Sequence, residues 1–208
     1  MISSGIVRRT LLVVALCLSA SAAAAPGIVV FGDSLSSGYG LPLDKSWVSL
    51  LKDRLRDSGF PHRVINASLS GETTLGGKNR IEAVLAQHRP GIVVLELGGN
   101  DGLRGLPPET TQQNLEAIIK ACRRAGARVL LVGMELPPNY GAAYTQKFRE
   151  IFSRLARRHR LSLAPFMLEG IGENREWFQP DGIHPTAEAQ PLILDNVWKH
   201  LRPLLSAR

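Results

Sequence analysis

Short runs of Val, Ile and Leu alternate along this chain with longer stretches in which apolar residues return every three or four positions. The runs at 28–31, 64–65, 92–97 and 129–132, with a weaker one at 161–163, predict strands. They lack strict apolar–polar alternation, as expected of parallel strands covered on both faces. Between them, Trp47, Leu50, Leu51 and Leu55 fall on one helical face. So do Ile81, Val84 and Leu85; Leu115, Ile118, Ile119 and Cys122; Phe148, Ile151, Phe152 and Leu155; and Val197, Trp198 and Leu201. Strand–helix alternation predicts an α/β fold, a doubly wound parallel sheet in a three-layer α/β/α sandwich. Right-handed crossovers would bring the strand C-termini to one edge. Pro107-Pro108 opens a helix and Pro137-Pro138 closes a strand. No repeat or linker divides the chain, so one domain is expected over 26–208.

The first 25 residues break the pattern. Arg8 and Arg9 precede an apolar run at 11–18, and small residues follow to Ala25. This is the layout of a signal peptide, with cleavage expected after Ala25 or, nearly as well, after Ala23. An uncleaved anchor is the alternative, but the apolar run is short and its exit rich in alanine. The protein is therefore expected in the periplasm or secreted, with no membrane anchor after cleavage.

Charge changes this picture little. The full chain of 208 residues carries +7, and loss of two arginines with the signal leaves +5. That suits anionic lipid or thioester substrates. Without a basic stripe interleaved with aromatics, nucleic acid is not an expected partner. Cys122 alone remains after cleavage, on an apolar helical face, which predicts a core residue and no internal disulfide. A monomer is expected.

The loops at the predicted edge carry the chemistry. They are Gly32-Asp33-Ser34, then 66–72 with Gly71, then 98–102 with Asn100, and lastly Asp181-Gly182-Ile183-His184-Pro185. Open α/β sheets bind ligands at this edge. Acyl transfer needs a nucleophile, a base, a group to orient that base, and donors for an oxyanion. Ser34 can attack, His184 can accept its proton, and Asp181, three residues earlier, can reach Nδ1. The backbone N–H groups of Ser34 and Gly71 and the side-chain amide of Asn100 are candidate donors. Each residue also has a plainer reading. Asn100 and Gly71 suit turns, and Asp181-x-x-His184 could cap a helix or hold a metal. A metal would want more ligands than Asp33 and Asp101 offer, so none is expected. Gly-x-Ser-x-Gly, Gly-x-Gly-x-x-Gly and Walker motifs are absent. Glu96, in an otherwise apolar strand, needs a partner or a wet strand end; Arg104 is the expected partner. Asp33 is expected to brace its own loop.

On Gly-Asp-Ser-Leu at Ser34, Ser-Gly-Glu-Thr at Gly71, Gly-Gly-Asn-Asp at Asn100 and Asp-Gly-Ile-His-Pro at His184, the sequence resembles the GDSL, or SGNH, hydrolase family. It is most similar there to bacterial periplasmic thioesterase–lysophospholipases and arylesterases, through 96–105, 136–144 and 189–191. The resemblance implies a flavodoxin-like sheet of order 2-1-3-4-5 and no cofactor. It implies a Ser34–Asp181–His184 triad, with Ser34, Gly71 and Asn100 as oxyanion donors. The implied substrates are small carboxylic esters, acyl thioesters and lysophospholipids. It also implies that segment 74–80 moves with the acyl chain; this sequence carries Leu75-Gly76-Gly77 there, and its two glycines are expected to loosen it. Leu75, Gly76, Leu103, Tyr140 and Tyr144 are candidate substrate contacts, with ordinary loop packing the alternative for the tyrosines. A carbohydrate deacetylase would share this machinery. A binding protein without activity on the same frame is a further alternative.

Overall fold

Five parallel strands form one sheet in the order β2-β1-β3-β4-β5. They are β1 (Ile28–Gly32), β2 (Val64–Asn66), β3 (Ile92–Glu96), β4 (Arg128–Val132) and β5 (Ser162–Ala164). The structure is a computed structural model that describes residues 27–172 and 174–206. The expected signal segment and its cleavage point lie outside the described residues. The sheet order and all-parallel pairing are those expected. The last strand begins one residue later than its apolar run suggests, at Ser162.

Every residue of β1 and β3 is buried. These two central strands are covered on both faces, which explains their unbroken apolar runs. One face carries α2 (Trp47–Asp57) and α7 (Gln190–Ser206); the other carries α3 (Thr74–His88), α5 (Pro108–Arg124) and α6 (Ala142–His159). The single-turn helices α1 (Ser34–Ser37) and α4 (Gly99–Leu103) follow β1 and β3 directly. Full burial of a Val, Leu, Ile or Phe side chain stabilises by about 1.5–3 kcal/mol. The sheet is therefore a stiff floor, and the loops at its C-terminal edge start from fixed points.

Cys122 is buried within this core, and burial pushes its thiol up to about 12. It is a core residue and not a nucleophile at neutral pH.

Segment 74–80 differs from expectation. It forms the first turns of α3 and is not a loosened loop. The Thr73 hydroxyl caps it, accepting from the Gly76 N–H at 3.3 Å. The glycines serve close packing: a Cβ on Gly77 would come within 2.5 Å of Leu97 Cδ1, and one on Gly76 within 2.3 Å of Glu72 Oε1. Gly77 thus lets α3 lie against the end of β3.

Candidate active site

β1 stops at Gly32, and Asp33 turns its side chain back to cap α1. Asp33 Oδ1 accepts from the Leu35 N–H at 3.0 Å. This is the local bracing expected of Asp33, and it sets Ser34 on the first turn of α1 at the sheet edge.

The opposite side of the site is one tight turn. The Gln179 N–H donates to the His184 carbonyl at 2.7 Å, and the Gly182 N–H donates to the Gln179 carbonyl at 2.9 Å. Gly182 has φ +69°, a conformation that favours glycine. Asp181 Oδ1 accepts from the N–H groups of Ile183 at 2.9 Å and His184 at 3.0 Å, while Oδ2 meets His184 Nδ1 at 2.7 Å. The His184 backbone N–H, its imidazole and the Ile183 N–H hold the Asp181 carboxyl down at about 2. An ionised carboxylate can only accept. Nδ1 must therefore carry its proton, and Nε2 is left as an acceptor. Nε2 lies 2.9 Å from Ser34 Oγ, across 150 residues of sequence.

The two middle loops are tied to the same place. Asn100 Nδ2 donates to Asp33 Oδ2 and to the Glu72 carbonyl, each at 3.0 Å. Ser37 and Ser70 share a hydroxyl contact at 2.8 Å, and Asn66 Nδ2 donates to the Ser36 carbonyl at 2.7 Å. Gly71 has φ +77°, and open space surrounds the position of a Cβ. The backbone N–H groups of Gly71 and Ser34 have no partner among the described residues. Both are free to donate. The Asn100 amide is not, since both of its N–H bonds are engaged; an oxyanion would have to draw one from the Glu72 carbonyl.

Glu72 belongs to a second support. Arg80 Nε donates to Glu72 Oε2 at 2.7 Å and its Nη1 to the Ala67 carbonyl at 2.8 Å. The guanidinium lies 4.2 Å from the centroid of the Phe31 ring. An arginine from α3 thus clamps both ends of the Gly71 loop onto the floor. Asp101 is buried and accepts from the Thr74 N–H at 2.8 Å and from its hydroxyl, joining α4 to α3.

Glu96 is not at a wet strand end, and Arg104 is not its partner. Arg104 Nη2 donates to the Gly71 carbonyl at 3.3 Å. Glu96 is fully buried beneath α1, where Oε2 accepts from Ser36 Oγ at 2.5 Å and from the Asp33 N–H at 3.2 Å.

Among the candidate substrate contacts, Leu75 is exposed at the start of α3, beside half-buried Gly76, and Leu103 is half-buried at the end of α4. The tyrosine hydroxyls are used internally: Tyr140 donates to the Leu103 carbonyl at 3.0 Å and Tyr144 to that of Leu106 at 2.7 Å. They pin the start of α6 against the α4 turn.

Sequence reasoning missed Tyr39 and Gln179. The Tyr39 ring lies 4.5 Å from the His184 ring, centroid to centroid. Gln179 Nε2 donates to the Tyr39 carbonyl at 3.0 Å and to that of Pro185 at 3.1 Å. An aromatic residue between two glycines, Gly38 and Gly40, was the available signal. Gln179 carried none.

The model of the GDSL-like lipase/acylhydrolase family matches residues 30–191. Esterase TesA of Pseudomonas aeruginosa is 49% identical over 191 residues, 92% of this chain and 95% of that protein. Thioesterase 1/protease 1/lysophospholipase L1 of Escherichia coli K12 is 42% identical over 189 residues, 91% of this chain and 89% of that protein. The psychrotrophic esterase EstA from a Pseudoalteromonas species, solved as inhibited by monoethylphosphonate, superposes with a TM-score of 0.83. It is 37% identical, with 88% of this chain and all of that chain covered.

Proposed function

Because this chain belongs to the GDSL-like lipase/acylhydrolase family, we propose that it hydrolyses esters through an acyl-enzyme on Ser34, with His184 as the base and Asp181 orienting it. The protein is an ester hydrolase. The observation that carries the residue assignment is the unbroken chain from Asp181 Oδ2 to His184 Nδ1, and from His184 Nε2 to Ser34 Oγ.

In this reading the substrate carbonyl sits over Ser34 with its oxygen toward the free N–H groups of Ser34 and Gly71. Ser34 Oγ attacks as His184 Nε2 takes its proton, and Asp181 stabilises the imidazolium. The oxyanion takes the two backbone donors at once and shares the Asn100 amide with the Glu72 carbonyl. Collapse expels the alcohol or thiol, which receives the proton from His184. Water then repeats the sequence on the acyl-enzyme, with His184 again as base. Acyl thioesters and lysophospholipids fit the same chemistry, since only the leaving group or the acyl carrier changes. The relatives named for those activities support including them. Residues 1–25 are proposed to direct export and to be removed.

Treatment of the exported protein with an aryl phosphonate should modify Ser34 alone. Its intact mass should show one adduct on a chain lacking residues 1–25. A parallel panel of aryl esters, acyl-CoA thioesters, lysophospholipids and acetylated sugars ranks the substrates. Absence of an adduct on Ser34 would overturn the mechanism.

The Tyr39 ring limits the ways the His184 imidazole can turn. Aromatic pairs of this kind contribute about 0.5–1.5 kcal/mol. Tyr39→Ala should lower kcat roughly three- to tenfold with little change in KM, and Tyr39→Phe should keep most of the activity. Equal kcat values for Tyr39→Ala and the parent protein would remove the ring from the account.

A further inference from the structure

Beneath the nucleophile lies a pair of acids that the mechanism above does not use. Glu96 and Asp33 are both buried, and the Asp33 N–H donates to Glu96 Oε2 at 3.2 Å. The pair is built in: Gly32 and Glu96 are register partners, and a Cβ on Gly32 would lie 2.3 Å from Glu96 Oε2. The donors around it are unevenly divided. Glu96 Oε2 accepts two hydrogen bonds, from Ser36 Oγ and the Asp33 N–H. Glu96 Oε1 is buried and has no hydrogen-bond partner among the described residues. Asp33 has a donor on each oxygen: the Leu35 N–H on Oδ1 and the Asn100 amide on Oδ2. A charge spread onto a bare buried oxygen is costly, whereas a proton on Glu96 removes that charge and makes the acid a donor.

We propose that Glu96 works as a neutral acid, its proton shared with the Asp33 carboxylate, and that this pair is a positioning device holding the Asn100 amide in place for the oxyanion. The proposal rests on the acyl-enzyme reading of the site. Asp33 stays charged, so it can accept from Asn100 and orient its amide nitrogen toward the site. Glu96 supplies the hydrogen bond that keeps Asp33 charged in a dry place. Two neighbouring buried carboxyls hold one proton in common when both cannot ionise cheaply.

The electrostatics agree with this division. Burial first, then the Asp33 charge, raises Glu96 well above the ordinary carboxyl range. Burial raises Asp33 too, against the opposing pull of the Leu35 N–H, the Asn100 amide, His184 when it is protonated, and the Glu96 hydrogen bond. Asp33 is the one ionisable group acting on Glu96 among the described residues. Since the Glu96 carboxyl is raised, its neutral form persists above the ordinary carboxyl range and it ionises only as pH climbs through that raised value. A charged Glu96 would repel Asp33 and withdraw the Glu96 proton from it, leaving only the Leu35 and Asn100 donors.

The test is a pH profile of kcat for the parent protein, Glu96→Ala and Glu96→Gln. Glutamine keeps an acceptor for Ser36 and the Asp33 N–H, and its amide nitrogen replaces the acid proton as donor to Asp33. Glu96→Ala should lose about 100-fold in kcat, as loss of one oxyanion donor does. Glu96→Gln should recover most of that loss. Above all, Glu96→Gln should hold its kcat further into the alkaline range than the parent, because it has no proton there to lose. A Glu96→Gln protein as inactive as Glu96→Ala would overturn the proposal, as would an alkaline limb identical to the parent's. If Glu96→Ala does not fold, the comparison of Glu96→Gln with the parent still decides. Phosphonate labelling of Ser34 in each protein keeps the two ideas apart. An unlabelled parent would count against the acyl-enzyme itself, whereas labelled variants with unshifted profiles count against Glu96 alone.

Discussion

Ser34→Ala should abolish ester hydrolysis while leaving the fold intact. Removing the nucleophile of a comparable triad costs on the order of a million-fold in kcat. A residual rate about a thousand- to ten-thousand-fold above water is expected from the oxyanion donors and substrate binding. The structural cost should be small. Ser34 is half-buried, and the one bond its hydroxyl makes among the described residues is to His184. A change of this kind away from the core is usually within about 0.5 kcal/mol of neutral. Thermal unfolding of the variant should therefore match the parent as its turnover of aryl esters falls to background. Retained turnover in a folded Ser34→Ala protein would sink the assignment.

Asp181→Asn should cost about ten-thousand-fold in kcat with KM nearly constant. The asparagine carbonyl can still accept from the Ile183 and His184 N–H groups, so the turn should survive. Its amide nitrogen would then face His184 Nδ1, where two donors cannot both be satisfied. The imidazole would respond by taking its proton on Nε2, which presents a donor to Ser34 instead of an acceptor. The pH dependence separates this residue from the base. The Asp181 carboxyl is held at about 2, below its usual value, so it is charged at every pH where the enzyme works. That charge is lost only as pH falls through about 2. An acid limb of activity at higher pH therefore belongs to another group, and stopped-flow release of aryl alcohol across the pH range reads it directly. An Asp181→Asn protein within tenfold of the parent would rule out the orienting role.

The sheet and the four edge loops could be read in the chain because their signals are local. The apolar runs of β1 and β3 lie within five residues each, and the Asp181–His184 turn within four. What could not be read lies between distant segments. Glu96 was visible as a polar residue in an apolar strand, but its true neighbours, Ser36 and Asp33, are sixty and sixty-three residues away. Arg104 looked the better partner because it is near in sequence. Gly76 and Gly77 looked like looseness because a glycine pair in a chain shows its freedom and hides its neighbours. Only the fold reveals that Leu97 and Glu72 occupy the space where side chains would be. Asn100 was legible as a donor, but that its amide is already engaged by Asp33 and Glu72 depends on two loops meeting. Tyr39 and Gln179 escaped notice because a ring stacked on an imidazole and a side chain gripping a remote carbonyl leave no spacing rule behind.

The Asp181–His184 pair is assembled within a single turn, whereas its contact with Ser34 joins opposite ends of the domain. The acid–base half can thus form as soon as its own few residues are ordered. The nucleophile joins it only when the first strand and this turn, 150 residues apart, are brought together. Turnover of a chromogenic ester is in effect a long-range distance gauge. During refolding it should come on with the last closure of the chain, later than helical signals that report local order.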